Sequence, residues 1–304
     1  MFKIQHLQSA TQIITMGETS ILTDPWLTEG EYLGSWYHYP PFPTESIEAL
    51  KYDFIYVSHI HPDHLSEKTF SKIEKKPVLI HKYSSIFLKR KIEFMGFEVI
   101  ELPHAQPFEL GNGAAITIYA ADNCNPELCG KLFGCAKMES KFGSAQIDSL
   151  AKFSYNDRVV VNTNDCPFEL AEYAIKSHGI DKDRIDALLV GYCGAGPYPQ
   201  CFDFQDEEAK MKAAENKKVQ FLDQAVQFID LLKPAAFIPF AGTYILGSRL
   251  ANLNDSRGIP QICDAVKYIE EMIKGNCKGI ELKQFDVFDT EGQNINKASQ
   301  NKGI

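Results

Sequence analysis

The stretch Ser58-His59-Ile60-His61-Pro62-Asp63-His64-Leu65 places three imidazoles and a carboxylate within six residues, directly after the apolar run Phe54-Ile55-Tyr56-Val57. A strand predicted over 53–58 delivers the chain to the first histidine, and a tight loop then turns the side chains toward a common cavity. His59 and His61 alternate across one turn and suit one metal ion, while Asp63 and His64 point at a neighbouring ion. Imidazole and carboxylate together suit Zn, Fe, Mn or Co. The bland alternative is a solvated loop carrying chance histidines. Four of the chain's eight histidines fall between His59 and His81, a density that favours the metal reading.

Outward from this motif, the chain punctuates itself as alternating strands and helices. Strands are predicted over 2–7, 11–15 and 20–23, with a turn at Met16-Gly17-Glu18, which reads as antiparallel hairpins. Pro40, Pro41 and Pro43 mark an irregular loop before a short helix over 45–50. Helix over 68–73, strand over 78–81, amphipathic helix over 84–95 and strand over 98–102 continue the first half. The second half opens with strands over 114–120, 149–155 and 158–162, the last two joined across Asn156-Asp157, and a strand over 187–190 follows. Long helices over 207–232 and 260–274 flank a strand over 236–239. Two halves that each open antiparallel and close in β/α units predict a layered α/β architecture with helices on the sheet faces.

With 304 residues, 44% hydrophobic and 23% charged, the chain has ordinary globular composition and no Pro/Gly/Ser-rich linker. One domain is expected over 1–290, with a flexible Gln/Asn/Lys-rich tail over 291–304. The net charge of -9 and the absence of long Lys/Arg runs argue against a nucleic-acid polymer as partner. A small-molecule substrate is the expected partner. No stretch approaches the apolar length of a membrane span, and Met1-Phe2-Lys3-Ile4-Gln5-His6 does not open a secretory signal, so a cytoplasmic location is expected. Eight cysteines in that setting read as reduced thiols or metal ligands rather than disulfides.

Beyond the histidine motif, I-L-T-D-P-W-L (21–27), G-S-W-Y-H-Y-P-P (34–41), V-V-N-T-N-D-C (160–166) and K-P-A-A-F-I-P-F-A-G-T-Y (233–244) follow in order. Together these resemble the metallo-β-lactamase superfamily, in particular the metallo-β-lactamase-like part of CMP-N-acetylneuraminate hydroxylases. Ascorbate-6-phosphate lactonase-like and N-acyl-phosphatidylethanolamine phospholipase D-like hydrolases are related branches. The resemblance implies a four-layer αββα sandwich and one or two divalent metal ions, with Fe favoured and Zn or Mn as alternatives. It carries over His59, His61, Asp63 and His64 as ligands and Asp165 as the carboxylate bridging two metals, with Asp63 and Asp165 as catalytic groups.

The resemblance is uneven at two other ligand positions. Where the superfamily has a histidine after the strand over 114–120, this sequence offers Asp122, either a ligand or a strand-end Asx turn. With His59 and His61 it would make the two-imidazole, one-carboxylate set of non-haem Fe(II) sites. The late histidine is also missing, its region offering Ser248 and Arg249. Asp24 reads as an orienting partner for a metal-bound histidine. Trp26, His104, Tyr198, Tyr244 and Arg249 are candidate second contacts or substrate-binding residues, although such aromatics more often simply pack. Cys124, Cys129 and Cys135 sit in an apparent insertion over about 124–145, read as a flap.

Two chemistries follow. An iron-dependent oxygenase would hydroxylate a small polar or nucleotide-linked substrate with electrons from a separate donor, since no C-x-H and C-x-x-H pair is present in the sequence. A Zn or Mn hydrolase would deliver metal-bound hydroxide to a phosphoester, lactone or amide. A metal-binding protein without turnover is the third reading.

Overall fold

The computed structural model describes residues 1–83, 85–120 and 148–298. Its first half forms β1 (Phe2–Gln8), β2 (Thr11–Met16), β3 (Thr19–Thr23), the short β4 (Trp36–Tyr37), β5 (Phe54–Tyr56), α1 (Glu67–Phe70), β6 (Val78–His81), α2 (Phe87–Phe94) and β7 (Val99–Leu102). The second half opens with β8 (Pro107–Gly111), β9 (Ala114–Ala120), β10 (Ser149–Tyr155), β11 (Arg158–Asn162), α3 (Phe168–Ser177) and β12 (Ala187–Gly191). It closes with α4 (Glu207–Leu232), β13 (Ala236–Phe240), β14 (Ile245–Leu246), α5 (Ile262–Met272), β15 (Lys278–Gly279), β16 (Val287–Asp289) and β17 (Asn294–Asn296).

Two large sheets result, ordered β17-β16-β1-β2-β3-β5-β6-β7 and β15-β13-β12-β11-β10-β9-β8. Each changes from antiparallel to parallel pairing at one strand: β3 pairs antiparallel with β2 and parallel with β5, and β11 pairs antiparallel with β10 and parallel with β12. The β2–β3 turn needs Gly17, at φ +65, because an added Cβ would lie 2.5 Å from the Tyr155 hydroxyl. A third, two-stranded ribbon joins β4 to β14.

The alternation of side chains along each strand sorts them into three apolar layers. Ile4, Ile14, Ile21, Tyr56 and Leu79 of the first sheet meet Ile116, Phe153, Val160, Leu189 and Ile238 of the second. Their sequence neighbours point the other way. Ile55, Val78 and Ile80 pack on Phe70, Leu88 and Ile92 of α1 and α2. Val161, Leu188 and Val190 pack on Leu170, Leu222, Phe228 and Ile229 of α3 and α4. A sheet buried on both faces needs apolar residues in both registers, which is why the parallel strands read as continuous Val/Ile/Leu runs. The expected αββα sandwich is the observed architecture.

Several boundaries differ from the sequence reading. The helix expected over 45–50 is a 3-10 turn, Thr44–Ser46, continued by single turn bonds to Leu50. The helix expected over 68–73 is α1, capped by Ser66, whose Oγ accepts from the Thr69 N–H. Helix α3 was not foreseen, although Leu170, Ala171, Ala174 and Ile175 share its buried face. The segment expected as a flexible tail carries β17, which pairs with β16 at the edge of the first sheet. Among the described residues, no helix is long and apolar enough to cross a membrane.

Phe153 is fully buried between the sheets and meets Tyr56 edge-on at 6.1 Å. Phe153→Ala is expected to lower unfolding stability by about 3–5 kcal/mol in denaturant titration. Phe94→Ala, on a ring 94% exposed, is expected to change it by no more than about 0.5 kcal/mol.

Candidate metal centre

The histidine motif leaves β5 at the C-terminal edge of the parallel strands, where β3, β11 and β12 also end. Asp24, one residue past β3, is fully buried and holds φ +41, a region that a non-glycine residue adopts at a cost. Its carboxylate accepts from the Ser58 N–H at 2.7 Å, from the Ser58 hydroxyl at 2.8 Å and from His64 Nδ1 at 2.9 Å. These bonds fix two tautomers. The one Ser58 hydroxyl proton goes to Asp24, so His59 Nδ1, 2.9 Å from Ser58 Oγ, must be the donor there. His59 Nε2 and His64 Nε2 are thereby left to face the same space, where an entering cation can take them as ligands.

The loop closes in one turn, with the N–H groups of His64 and Leu65 both donating to the His61 carbonyl. His59 Nε2 and His61 Nδ1 come to lie 2.9 Å apart. Such spacing suits two donors sharing one ion with bonds of about 2.0–2.1 Å. Asp63 Oδ2 lies 3.8 Å from His64 Nε2, and its Oδ1 accepts from the Tyr32 hydroxyl at 2.8 Å. From the second sheet, Asp165 Oδ2 reaches to 3.4 Å from His64 Nε2 and 4.0 Å from His59 Nε2. Asp148, the residue before β10, places Oδ1 3.4 Å from His59 Nε2. The donor atoms of His59, His61 and Asp148 lie within 4.8 Å of one another, as do those of His59, His64 and Asp165.

The two halves of this cluster are joined beneath it. The Ser58 carbonyl accepts from the Ser149 and Tyr83 hydroxyls at 2.9 and 2.8 Å, and Asn164 Nδ2 donates to the Ser149 carbonyl at 2.9 Å. The end of β5, the start of β10 and the loop after β11 are thus one polar unit.

The electrostatics call for a cation. Burial, then the neighbouring Asp165 and Asp63 charges, push the Asp148 carboxyl up to about 8. Burial opposes ionisation of Asp165 too, yet His64, with help from His59 and His61, holds it well below the usual carboxylate range. Burial likewise opposes charge on His64, but Asp165 and Asp24 drive its pKa well above the ordinary imidazole value. Burial and the neighbouring His64 and His61 push His59 well below it. His64 Nε2 is buried without a hydrogen-bond partner. The carboxylates that hold a proton on His64 would equally hold a divalent cation in its place, so the donor set fits one or two such ions.

A cavity of about 600 Å³ opens onto this cluster. Tyr32, Trp36, Phe221, Leu246 and Leu250 form its apolar wall, and Asn164, Gln200, Gln224, Gly191 and the run Cys193 to Gly196 complete the lining. Among the described lining residues none is Lys or Arg.

Other sequence candidates lie elsewhere. Trp26 is buried, its indole N–H donating to the Thr28 carbonyl at 2.8 Å, and Tyr244 is buried with its hydroxyl donating to the Gly196 carbonyl. Both pack against neighbouring side chains and neither lines the metal cavity, which corrects their reading as substrate contacts there. His104 pairs with His178 at 3.1 Å beside Tyr119, Tyr198 lines a shallow groove along α4, and Arg249 is exposed; none lines the cavity. Asp122, Cys124, Cys129 and Cys135 lie outside the described residues. Among the described residues, the carboxylate grouped with both His59 and His61 is Asp148, which the sequence reading missed, as it missed Tyr32. The one signal for Asp148 was an acidic residue directly before a strand.

A family profile described as the beta-lactamase superfamily domain matches residues 3–187. The chain belongs to the metallo-β-lactamase superfamily. Similar curated proteins include one named as a Rieske 2Fe-2S iron-sulfur protein of Mycolicibacterium smegmatis, 27% identical over 91% of this chain and 51% of its own. Cytidine monophosphate-N-acetylneuraminic acid hydroxylase of Danio rerio is 21% identical over 79% of this chain and 38% of its own. The chain therefore spans about half or less of the length of these relatives. Among solved structures, an isothiocyanate hydrolase from Delia radicum gut bacteria superposes with TM-score 0.61 at 12% identity, over 94% of this chain and 98% of its own. CmlA, a diiron beta-hydroxylase from Streptomyces venezuelae, superposes with TM-score 0.53 at 15% identity, over 92% of this chain and 53% of its own. At such identities these superpositions show the shared superfamily fold.

Removing Asp24 or Asp148 tests the centre through bound metal. Asp24→Ala is expected to weaken metal binding by about 10–100-fold, measured by equilibrium dialysis with elemental analysis, because His64 loses its orienting acceptor. Asp148→Ala is expected to lose the ion at His59 and His61 outright, and unchanged occupancy would remove Asp148 from the ligand set.

Metal binding should also depend on pH. With the Asp148 carboxyl near 8, an entering ion displaces its proton at neutral pH. Apparent affinity should therefore climb with pH from roughly pH 6 to 8, by up to about tenfold per pH unit for this one proton. Calorimetric titration in two buffers of different ionisation enthalpy reads the released proton directly.

Proposed function

We propose that this domain is a dinuclear, iron-dependent oxygenase acting on a small, uncharged substrate. The carrying observation is that, among the described residues, the Asp148 carboxylate lies with His59 and His61 close enough to share an ion. Two imidazoles and one carboxylate, with Asp165 and Asp63 adding oxygen donors nearby, suit iron or manganese better than the histidine-rich set of a zinc hydrolase. The names of two similar proteins, a sialic acid hydroxylase and a diiron beta-hydroxylase, support the same class.

In this reading His59, His61 and Asp148 would hold one ion and Asp63 and His64 the second, with Asp165 near both His59 and His64 as a further oxygen donor. The ions, when bound, would supply the dioxygen and redox chemistry. The chain's own residues do the rest. Asp24 and Ser58 fix the imidazole tautomers, and the Tyr32 hydroxyl holds its proton on Asp63 Oδ1 and so orients that carboxylate. The apolar wall of Tyr32, Trp36 and Phe221 excludes water, while Gln200, Gln224 and Asn164 offer amide groups to a polar substrate. Without Lys or Arg on the described wall, an uncharged substrate fits better than a nucleotide-linked one. Electrons would come from an iron–sulfur donor, a class suggested by the name of the mycobacterial relative.

Protein produced without metal supplementation and analysed for metal is expected to hold iron and, once reduced, to take up dioxygen. Stoichiometric zinc with no iron would sink the oxygenase reading and favour hydrolysis, for which Asp165 between the two histidines would equally bridge a metal pair.

A further inference from the structure

Tyr32, Trp36 and Tyr244 form an unbroken series of aromatic rings. Tyr32 begins it with the hydroxyl bonded to Asp63, and its ring lies 4.1 Å from Trp36, centroid to centroid. Trp36 stacks on Tyr244 at 3.7 Å with the planes 3° apart. Tyr32 and Trp36 line the metal cavity, whereas Tyr244 lines a second cavity of about 490 Å³ that also contains Tyr39, Tyr192 and Arg257. The stacked pair is therefore a wall shared by two cavities, one with the metal ligands and one without. The Arg257 guanidinium sits over the Tyr244 ring at 5.5 Å.

We infer that Tyr32, Trp36 and Tyr244 are a redox relay that drains oxidising equivalents from the metal centre when no substrate is bound; this rests on the oxygenase reading. Phenol and indole are, with thiols, the protein side chains most readily oxidised by one electron. The first ring of this series is hydrogen-bonded to a proposed metal ligand. Close stacking gives the contact that electron transfer between rings requires.

One passage moves a single electron inward. Tyr32 would give up one electron toward an oxidised centre, its phenolic proton crossing the 2.8 Å bond to Asp63 Oδ1. Trp36 then refills Tyr32, the proton returns from Asp63 to the phenol oxygen, and the indole is left as a radical cation with its N–H intact. The positive charge of Arg257 disfavours a hole on Tyr244, so the hole rests on Trp36. A small one-electron reductant of the thiol or ascorbate class, entering the second cavity, delivers an electron through the Tyr244 ring and loses its own proton to water. In sum the reductant is oxidised by one electron, the centre is reduced by one, and the chain returns to its starting state.

The test uses protein loaded anaerobically with ferrous iron, exposed to dioxygen without substrate, and frozen at intervals for electron paramagnetic resonance. The wild type is expected to show a short-lived tryptophan or tyrosine radical whose decay ascorbate accelerates. Trp36→Phe keeps an aromatic ring in the stack but removes the oxidisable indole. It is expected to leave a tyrosine radical that outlasts the wild-type signal severalfold, with severalfold faster loss of bound iron. Tyr244→Leu, which leaves both cavity-lining rings in place, should strand the radical on Trp36 and abolish the ascorbate effect. Thermal unfolding of each variant checks that it is folded. Iron binding and dioxygen uptake with identical radical lifetimes in all three proteins would overturn the relay alone. Absence of iron or of dioxygen uptake overturns the oxygenase reading and the relay with it.

Discussion

A single buried carboxylate organises the centre. Asp24 lies where β3 ends, next to β5, and a carboxylate removed from water is costly unless its oxygens are satisfied. Here three donors satisfy it, two from Ser58 and one from His64. The same bonds hold the end of β5 against the end of β3, seat His64, and through Ser58 dictate the tautomer of His59. The left-handed backbone at Asp24 is a local cost carried by those bonds and by the pairing of its N–H with the Tyr56 carbonyl at 2.8 Å. The ligand geometry downstream follows from this point: with Asp24 fixed, the two Nε2 atoms have one direction left.

The second sheet completes what the first begins, and the interface between the sheets makes that possible. Tyr56 contributes to the inner apolar layer through its ring and to the polar unit through its hydroxyl, 3.0 Å from Ser149 Oγ. Ser149 in turn supports the Ser58 carbonyl. Packing of the two sheets and alignment of Asp148 and Asp165 with the histidine loop are thus one event, so the core and the site share their stability.

This arrangement explains what could be read from the amino-acid order. The histidine motif was legible because its members sit within one loop, where spacing alone determines neighbourhood. The layers were legible because alternation along a strand has a fixed period, and adjacent residues such as Val160 and Val161 or Leu188 and Leu189 do belong to opposite layers. Asp148 was not, since it reaches His59 only through the pairing of two sheets across 89 positions of sequence, a separation that no local pattern encodes. Trp26 and Tyr244 misled for the same reason: an aromatic in a loop looks available until the packing of Trp36 against both is known. The edge strand β17 was hidden by its composition, Asn-Ile-Asn, which a sheet margin tolerates because one edge remains toward solvent.

The chemistry of the centre is set by charge balance more than by the motif that marks it. Asp24, Asp63, Asp148 and Asp165 crowd around three imidazoles, and the opposed behaviour of Asp148 and Asp165 shows the strain of that crowding: one carboxyl retains its proton while its neighbour gives its proton up. Two divalent ions would relieve both at once, because each carboxylate would then face a fixed positive charge rather than another carboxylate. A histidine in the place of Asp148 would leave the ion pair more positive and the site less able to stabilise a higher oxidation state. An anionic oxygen donor does the reverse, spreading negative charge onto the metal and favouring the oxidised form.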